Sequence, residues 1–183
     1  MIFSATKLQD AYIVDLEKRE DSRGFFARSW CRREFAENRL VSGLAQTNLS
    51  FSRNKGTLRG MHYQAEPYAE TKLIRCTRGA VYDVIIDLRA ASLTCGQWLG
   101  VELTEDNYKM VYVPEGFAHG FQTLADNAEV TYQVSQFYTP EAERGIRYND
   151  PAFGIEWPAK VEVISSKDAS WPDYSPNVHA MVS

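Results

Sequence analysis

An all-β fold, arranged as an antiparallel sandwich, jelly roll or barrel with a few short helices, is what this sequence predicts. Three observations carry that expectation. The chain breaks into many short β-like runs separated by turn residues. One stretch alone has a clear helical pattern. Aromatic residues make up 13% of the chain, which suits pleated, stacking surfaces. Strands at such spacing with little helix close into sandwiches or barrels, which hold small ligands between their sheets or in the barrel mouth.

The elements follow in order. AYIVDLE (11–17) and GFFARSW (24–30) read as the first strands. CRREFAENRL (31–40) reads as the helix, with Phe35 and Leu40 set among charges. LAQTNLSFS (44–52) and TLRGMHYQ (57–64) are strands, and KLIRCTRGAVYDVIIDLR (72–89) reads as a hairpin turning at Arg78-Gly79. QWLGVELT (97–104), KMVYVP (109–114), HGFQTLA (119–125) and EVTYQVSQFY (129–138) complete the set. Residues 139–183 are rich in Pro, Asp and Trp and are expected to cross the barrel as loops and short helices, ending in a frayed tail, NVHAMVS.

The 183 residues, without internal repeat, low-complexity tract or linker, are expected to form a single domain, 1–183. A formal net charge of −4 argues against a broad nucleic-acid footprint, while leaving room for a local basic pocket. Cys31, Cys76 and Cys95 are odd in number and irregularly spaced, so reduced thiols in a cytoplasmic protein are expected rather than a disulfide framework. The start MIFSATKLQDAY lacks an apolar run behind a basic head, and no window approaches the roughly 18 apolar residues of a membrane span.

The stretch GTLRGMHYQ (56–64) puts Arg59 and His62 into a strand that otherwise reads as buried. Metal-binding barrels of the cupin type gather two or three histidines and a carboxylate. Here the position two beyond His62 is Gln64, and His119 and His179 are the only other histidines, so a metal site is poorly supported and no cofactor is expected. Acid–base chemistry fits better: a histidine takes a proton near neutral pH when a carboxylate orients its other ring nitrogen. Asp83, Asp87 and Asp168 are all candidates, and strand parity does not choose among them. Arg23, Arg59, Lys72 and Arg75 lie in or beside apolar strands, as an anion site requires, although Arg75 and Arg78 equally suit a solvated strand face. Arg59 and His62 have opposite parity, and a bulge at Gly60 would turn both inward. Tyr132 sits mid-strand, where tyrosine is ordinarily core; its chemical use would be as a weak acid that protonates a carbanion.

GTLRGMHYQ, KLIRCTRGAVYDVIIDLR, VPEGFAHGFQTL and RGIRYNDPAFGIEWP, together with DSRGFF (21–26) and SSKD (165–168), resemble in order and spacing the motifs of dTDP-4-dehydrorhamnose 3,5-epimerases. The resemblance implies a cupin-like jelly-roll barrel, a homodimer, and an isomerase without metal. It implies a nucleotide-diphosphate 4-keto-6-deoxyhexose as substrate, inverted at C3 and C5 through enolates. Carried over by motif, His62 is the base, Asp168 its partner, Lys72 the cation beside the keto oxygen, and Tyr132 the acid of the opposite face. Arg23, Phe26, Gln46, Asn48, Arg59, His119, Tyr138, Glu143 and Lys167 match positions that line the nucleotide and diphosphate. One position departs: the family's RGFFxE, whose Glu contacts thymine, reads RGFFAR, with Arg28 at that place. A guanidinium only donates hydrogen bonds, which suits the N3 acceptor of cytosine. A CDP-linked sugar, or a base held differently, is therefore the alternative to the dTDP-sugar, and a related epimerase or isomerase acting at a single centre is a separate alternative.

Overall fold

The computed structural model describes residues 1–176. Among the described residues fourteen strands, two short α-helices and one 3-10 turn (Pro140–Ala142) follow one another. They are β1 (Ile2–Ala5), β2 (Tyr12–Asp15), β3 (Arg19–Asp21), β4 (Gly24–Phe26), α1 (Arg32–Glu37), β5 (Gln46–Ser52), β6 (Thr57–Gln64), β7 (Lys72–Arg78) and β8 (Ala80–Asp87). Then come β9 (Trp98–Thr104), β10 (Met110–Val113), β11 (Phe117–Thr123), β12 (Ala128–Val134), β13 (Glu143–Gly145), β14 (Val163–Ile164) and α2 (Ser166–Ala169). Among the described residues no helix is long and apolar enough to cross a membrane.

Two sheets carry the fold as a jelly roll. The first has the order β1-β2-β10-β7-β12-β5, the second β13-β6-β11-β8-β9 with β14 beside β6. Alternation along each strand decides which side chains meet between them. On β7, Ile74 and Cys76 point into the interior, where they pack with Val81 and Ile85 of β8, Val111 of β10, Phe121 of β11 and Val130 of β12. Leu73, just before Ile74, points outward to Val14, Met110 and Tyr112, under Phe35 of α1 and Leu40. The outer face of the second sheet (Met61, Val84, Ile86, Ala118) is covered by Phe153, Ile155, Trp157 and Tyr174. The C-terminal segment thus crosses the sheet as expected, and it supplies the short helix α2. His179 and the end of the tail lie outside the described residues.

Three local readings need correction. Gly79 does turn the chain, at φ +71°, but β7 and β8 are not a hairpin. β7 lies between β10 and β12, and β8 lies between β11 and β9 in the other sheet. Strands buried on both faces read alike whether they pair or merely pack, so pattern alone cannot detect the crossing. The strand expected at 24–30 is only β4, paired with β3 in a ribbon outside both sheets. The strand expected at 129–138 ends at Val134, and β1, β3, β13 and β14 were too short to show a period.

Strand β6 carries the bulge that its sequence permits. His62 faces His119 across the β6–β11 pair, but Arg59 faces Phe121, so three steps on one strand match two on the other. Gly60 lies at φ +129°, and a Cβ there would stand 2.5 Å from the Gly120 Cα. Only glycine fits both the conformation and the approach.

Candidate active site

The bulge brings Arg59 and His62 to the same cavity despite their parity. One compartment, of about 390 Å³, is lined by Gln46 and Asn48 of β5, Gln64 of β6, and Glu70, Tyr138 and Glu143 of neighbouring segments. A second, of about 160 Å³, is lined by Ser50, Arg59, His119, Phe121 and Asp168. His62, Lys72 and Tyr132 line both. His62 belongs to the second sheet, whereas Lys72 and Tyr132 belong to the first, so these groups face one another across the opening.

Asp168 is the carboxylate that meets His62, with His62 Nε2 and Asp168 Oδ1 2.6 Å apart. Asp168 Oδ2 accepts from the Gly60 N–H at 3.3 Å, and the Asp168 N–H donates to Ser165 Oγ, the N-cap of α2. Burial would raise the Asp168 carboxyl, but the His62 bond and charge, with the Gly60 and Ser165 contacts, hold it below the usual carboxylate value. One His62 nitrogen is thus fixed and the other is left for a ligand, on a side chain 32% exposed.

His119 has its own carboxylate. Its Nε2 lies 2.7 Å from Asp83 Oδ1, and the two side chains are only 10% and 0% exposed. Asp83 Oδ2 is buried with no hydrogen-bond partner among the described residues. Asp87, the third candidate, is occupied elsewhere by Arg89, Ser92 and Thr94. Arg59 donates from Nε to Ser52 Oγ and from a terminal nitrogen to the Phe51 carbonyl, which aims the guanidinium along the cavity wall.

Lys72 Nζ lies 3.3 Å from Glu70 Oε1. Burial pushes the Tyr132 hydroxyl up from its ordinary value; Glu70 adds to this and Arg59 opposes it. Glu143 accepts from Tyr138 Oη at 2.7 Å and from Lys167 Nζ at 2.5 Å, which outweighs the upward effect of burial and leaves its carboxyl lowered. Gln46 Oε1 accepts from the Tyr138 N–H and so holds that aromatic ring at the rim.

Arg23, Phe26 and Arg28 stand apart from this cavity. The Arg23 side chain is 87% exposed and paired with Asp21, and Phe26 is 68% exposed on the β3–β4 ribbon. Arg28 donates to Glu34 Oε1 at 2.8 Å, and Glu34 also binds the N-terminal ammonium. Two carboxylates at the site were not placed there by the sequence. Asp83 was weighed only as a partner of a histidine in general, and Glu70 was not singled out. The signal for Glu70 is its place two residues before Lys72, which puts both on one face of extended chain. Among the described residues no group of three or more His, Cys, Asp and Glu is gathered in a way that could hold a metal ion.

A buried carboxylate behind a half-open imidazole, a cation and a protonated phenol on the facing sheet can remove a proton from one side of a small molecule, neutralise the charge that develops, and return a proton from the other side. Comparisons agree with that chemistry. Residues 5–175 match the sequence profile described as dTDP-4-dehydrorhamnose 3,5-epimerase. A dTDP-4-dehydrorhamnose 3,5-epimerase of Sinorhizobium fredii is 42% identical over 173 residues, covering 94% of this chain and 89% of that one. The crystal structure of dTDP-4-dehydrorhamnose 3,5-epimerase from Elizabethkingia anophelis superposes with a TM-score of 0.94 at 36% identity, covering 98% of each chain. A 3,5-epimerase from Legionella pneumophila, solved in complex with dTDP-4-keto-L-rhamnose, superposes at 0.88 with 36% identity over 97% of this chain and 93% of that one.

Proposed function

The chain belongs to the dTDP-4-dehydrorhamnose 3,5-epimerase family, and from that premise we propose how its cavity inverts C3 and C5 of dTDP-4-dehydro-6-deoxyglucose. Both carbons are α to the C4 ketone, so their protons are acidic and leave an enolate. His62, oriented by Asp168, takes the proton. Lys72 stands by the C4 oxygen, where charge develops; a preorganised donor of that kind contributes about 10²–10³ in rate. Tyr132, kept protonated by burial, returns a proton from the opposite side. The observation that carries this reading is the placement of His62 and Tyr132 on facing sheets across one cavity, with Lys72 lining both of its compartments. Inversion requires different groups on the two faces of the enolate, and a single base would only exchange the proton.

Arg59 and His119 are read as anchors of the diphosphate, with Gln46, Asn48, Tyr138, Glu143 and Lys167 around the nucleotide. Arg23, Phe26 and Arg28 lie outside their own chain's cavity, and a homodimer gives them a role. The outer face of the first sheet exposes Leu49 (62%) and Phe51 (41%), an apolar surface that a second copy would cover. The ribbon β3–β4 of one copy would then serve the other's cavity. A thymine base is favoured over cytosine, because the case for CDP rested on Arg28 alone and Glu34 already engages that guanidinium. The three unpaired cysteines suit a cytoplasmic setting.

Incubation with dTDP-4-dehydro-6-deoxyglucose in D₂O, followed by NMR of the sugar protons, tests the function. Deuterium at both C3 and C5 is expected. Exchange at one carbon would reduce the activity to a single-centre epimerase, and exchange at neither would remove the enzymatic reading.

A further inference from the structure

Glu70 has no part in the chemistry described so far, yet it is the nearest carboxylate to the cation on which that chemistry depends. The Lys72 and Glu70 side chains are only 10% and 12% exposed. Charges so far from water need partners, and Lys72 Nζ lies 3.3 Å from Glu70 Oε1. The second carboxylate oxygen, Oε2, accepts from Gln64 Nε2 at 3.4 Å. Gln64 is itself fixed: its amide nitrogen shares two hydrogens among Glu70 and the Tyr68 and Phe137 carbonyls, and its Oε1 accepts from the Thr139 N–H at 2.6 Å. Between the two charged residues, the Thr71 N–H donates to Ser135 Oγ and its carbonyl accepts from the Ser135 N–H. A relay therefore runs from the backbone of two loops through Gln64 and Glu70 to the lysine ammonium. Lysine is a flexible stem ending in a point charge, and its electrostatic effect on a transition state depends on its being held in place beforehand.

We propose that Glu70 is the positioning residue of Lys72: it holds Nζ at the place where the enolate oxygen forms and acts as its counter-ion until the substrate oxygen takes that part. The inference rests on the epimerase reading and extends it to a residue outside the motifs that carry the resemblance. Its negative charge also helps to keep Tyr132 protonated, which places one carboxylate behind both groups of the first sheet.

A double-mutant cycle tests it. Rates of deuterium exchange at C3 and C5, kcat and KM are measured for the wild type, Glu70→Gln, Glu70→Asp, Lys72→Ala and the Glu70→Gln/Lys72→Ala pair, with thermal midpoints alongside. Glu70→Gln should lower kcat by roughly 10–10²-fold, the cost of a misplaced catalytic group, with KM and the midpoint little changed. Glu70→Asp should recover part of the loss, and the pair should be no slower than Lys72→Ala alone. Wild-type kcat in Glu70→Gln, an additive loss in the pair, or a fall in kcat that tracks a fall in the midpoint would each overturn the inference. If the wild type itself shows no exchange, the epimerase reading fails first and takes the inference with it.

Discussion

Two histidine–carboxylate pairs stand side by side in this cavity, and they are not equivalent. His62 and His119 are direct cross-strand neighbours on β6 and β11. The carboxylate of His62 comes from α2, more than a hundred residues away, where a serine cap, a backbone N–H and the histidine hold it below the usual carboxylate range. That of His119 comes from the adjacent strand β8 and is sealed in the interior, with one oxygen lacking a hydrogen-bond partner among the described residues. His62 is about three times as exposed as His119, at 32% against 10%. The same pair of side chains thus leaves one ring open to the cavity and holds the other packed in, which is the difference that the proposed roles of base and anchor draw on. Environment, more than residue type, separates the roles.

Substitution of the carboxylates should widen that difference. Asp168→Asn leaves the size of the side chain but removes the charge that steadies the imidazolium, and exchange should slow by about 10²–10⁴-fold with KM little altered, the range expected for loss of general-base function. Asp83→Asn should act on binding instead. KM should rise by about 10–10²-fold, the scale of one hydrogen bond to a charged group, with a smaller change in kcat. If both variants fell in kcat alone, the two pairs would share one role.

The smallest expected effect is on stability against pH, and it involves Asp168 of the first pair and two buried tyrosines, Tyr63 of β6 and Tyr132. Burial pushes the Tyr63 hydroxyl up to about 12 and raises Tyr132 as well. An unfolded tyrosine ionises near 10. A group whose folded value is raised stabilises fully below the unfolded value and loses that contribution as pH climbs through the folded one. Asp168 has the opposite sign: its contribution is complete above the ordinary carboxylate value and is lost only as pH falls through its lower folded one. The thermal midpoint should therefore be flat from about pH 5 to 10 with respect to these groups, then decline toward pH 12. A decline that begins at pH 8 would point to groups other than these tyrosines.

Much of the fold could be read from the chain because its strands alternate and its turns carry glycine. The crossing at Gly79 could not, since β7 and β8 are largely buried on both faces and give no sign of which neighbour each pairs with. At the site, Gly60 was enough to anticipate that Arg59 and His62 face one cavity, because only a bulge reconciles their parity. The Asp168 partner was legible only through resemblance, since no local pattern links residues 106 positions apart. Glu70 was overlooked because a Glu–Thr–Lys step beside a strand reads as solvated surface until the loops that bury it are known. The exposed ribbon that carries Arg23 and Phe26 shows the converse: motif position gave them a ligand role, but one chain alone does not bring them to its cavity.

The central claim is that the base and the acid lie on opposite sides of the substrate, on facing sheets. Tyr132→Phe tests it most directly, with proton exchange and inversion followed separately by NMR in D₂O. The account predicts that this variant still exchanges protons through His62 while inversion is lost or severely slowed, whereas His62→Ala does neither. Inversion at the wild-type rate in Tyr132→Phe would contradict it.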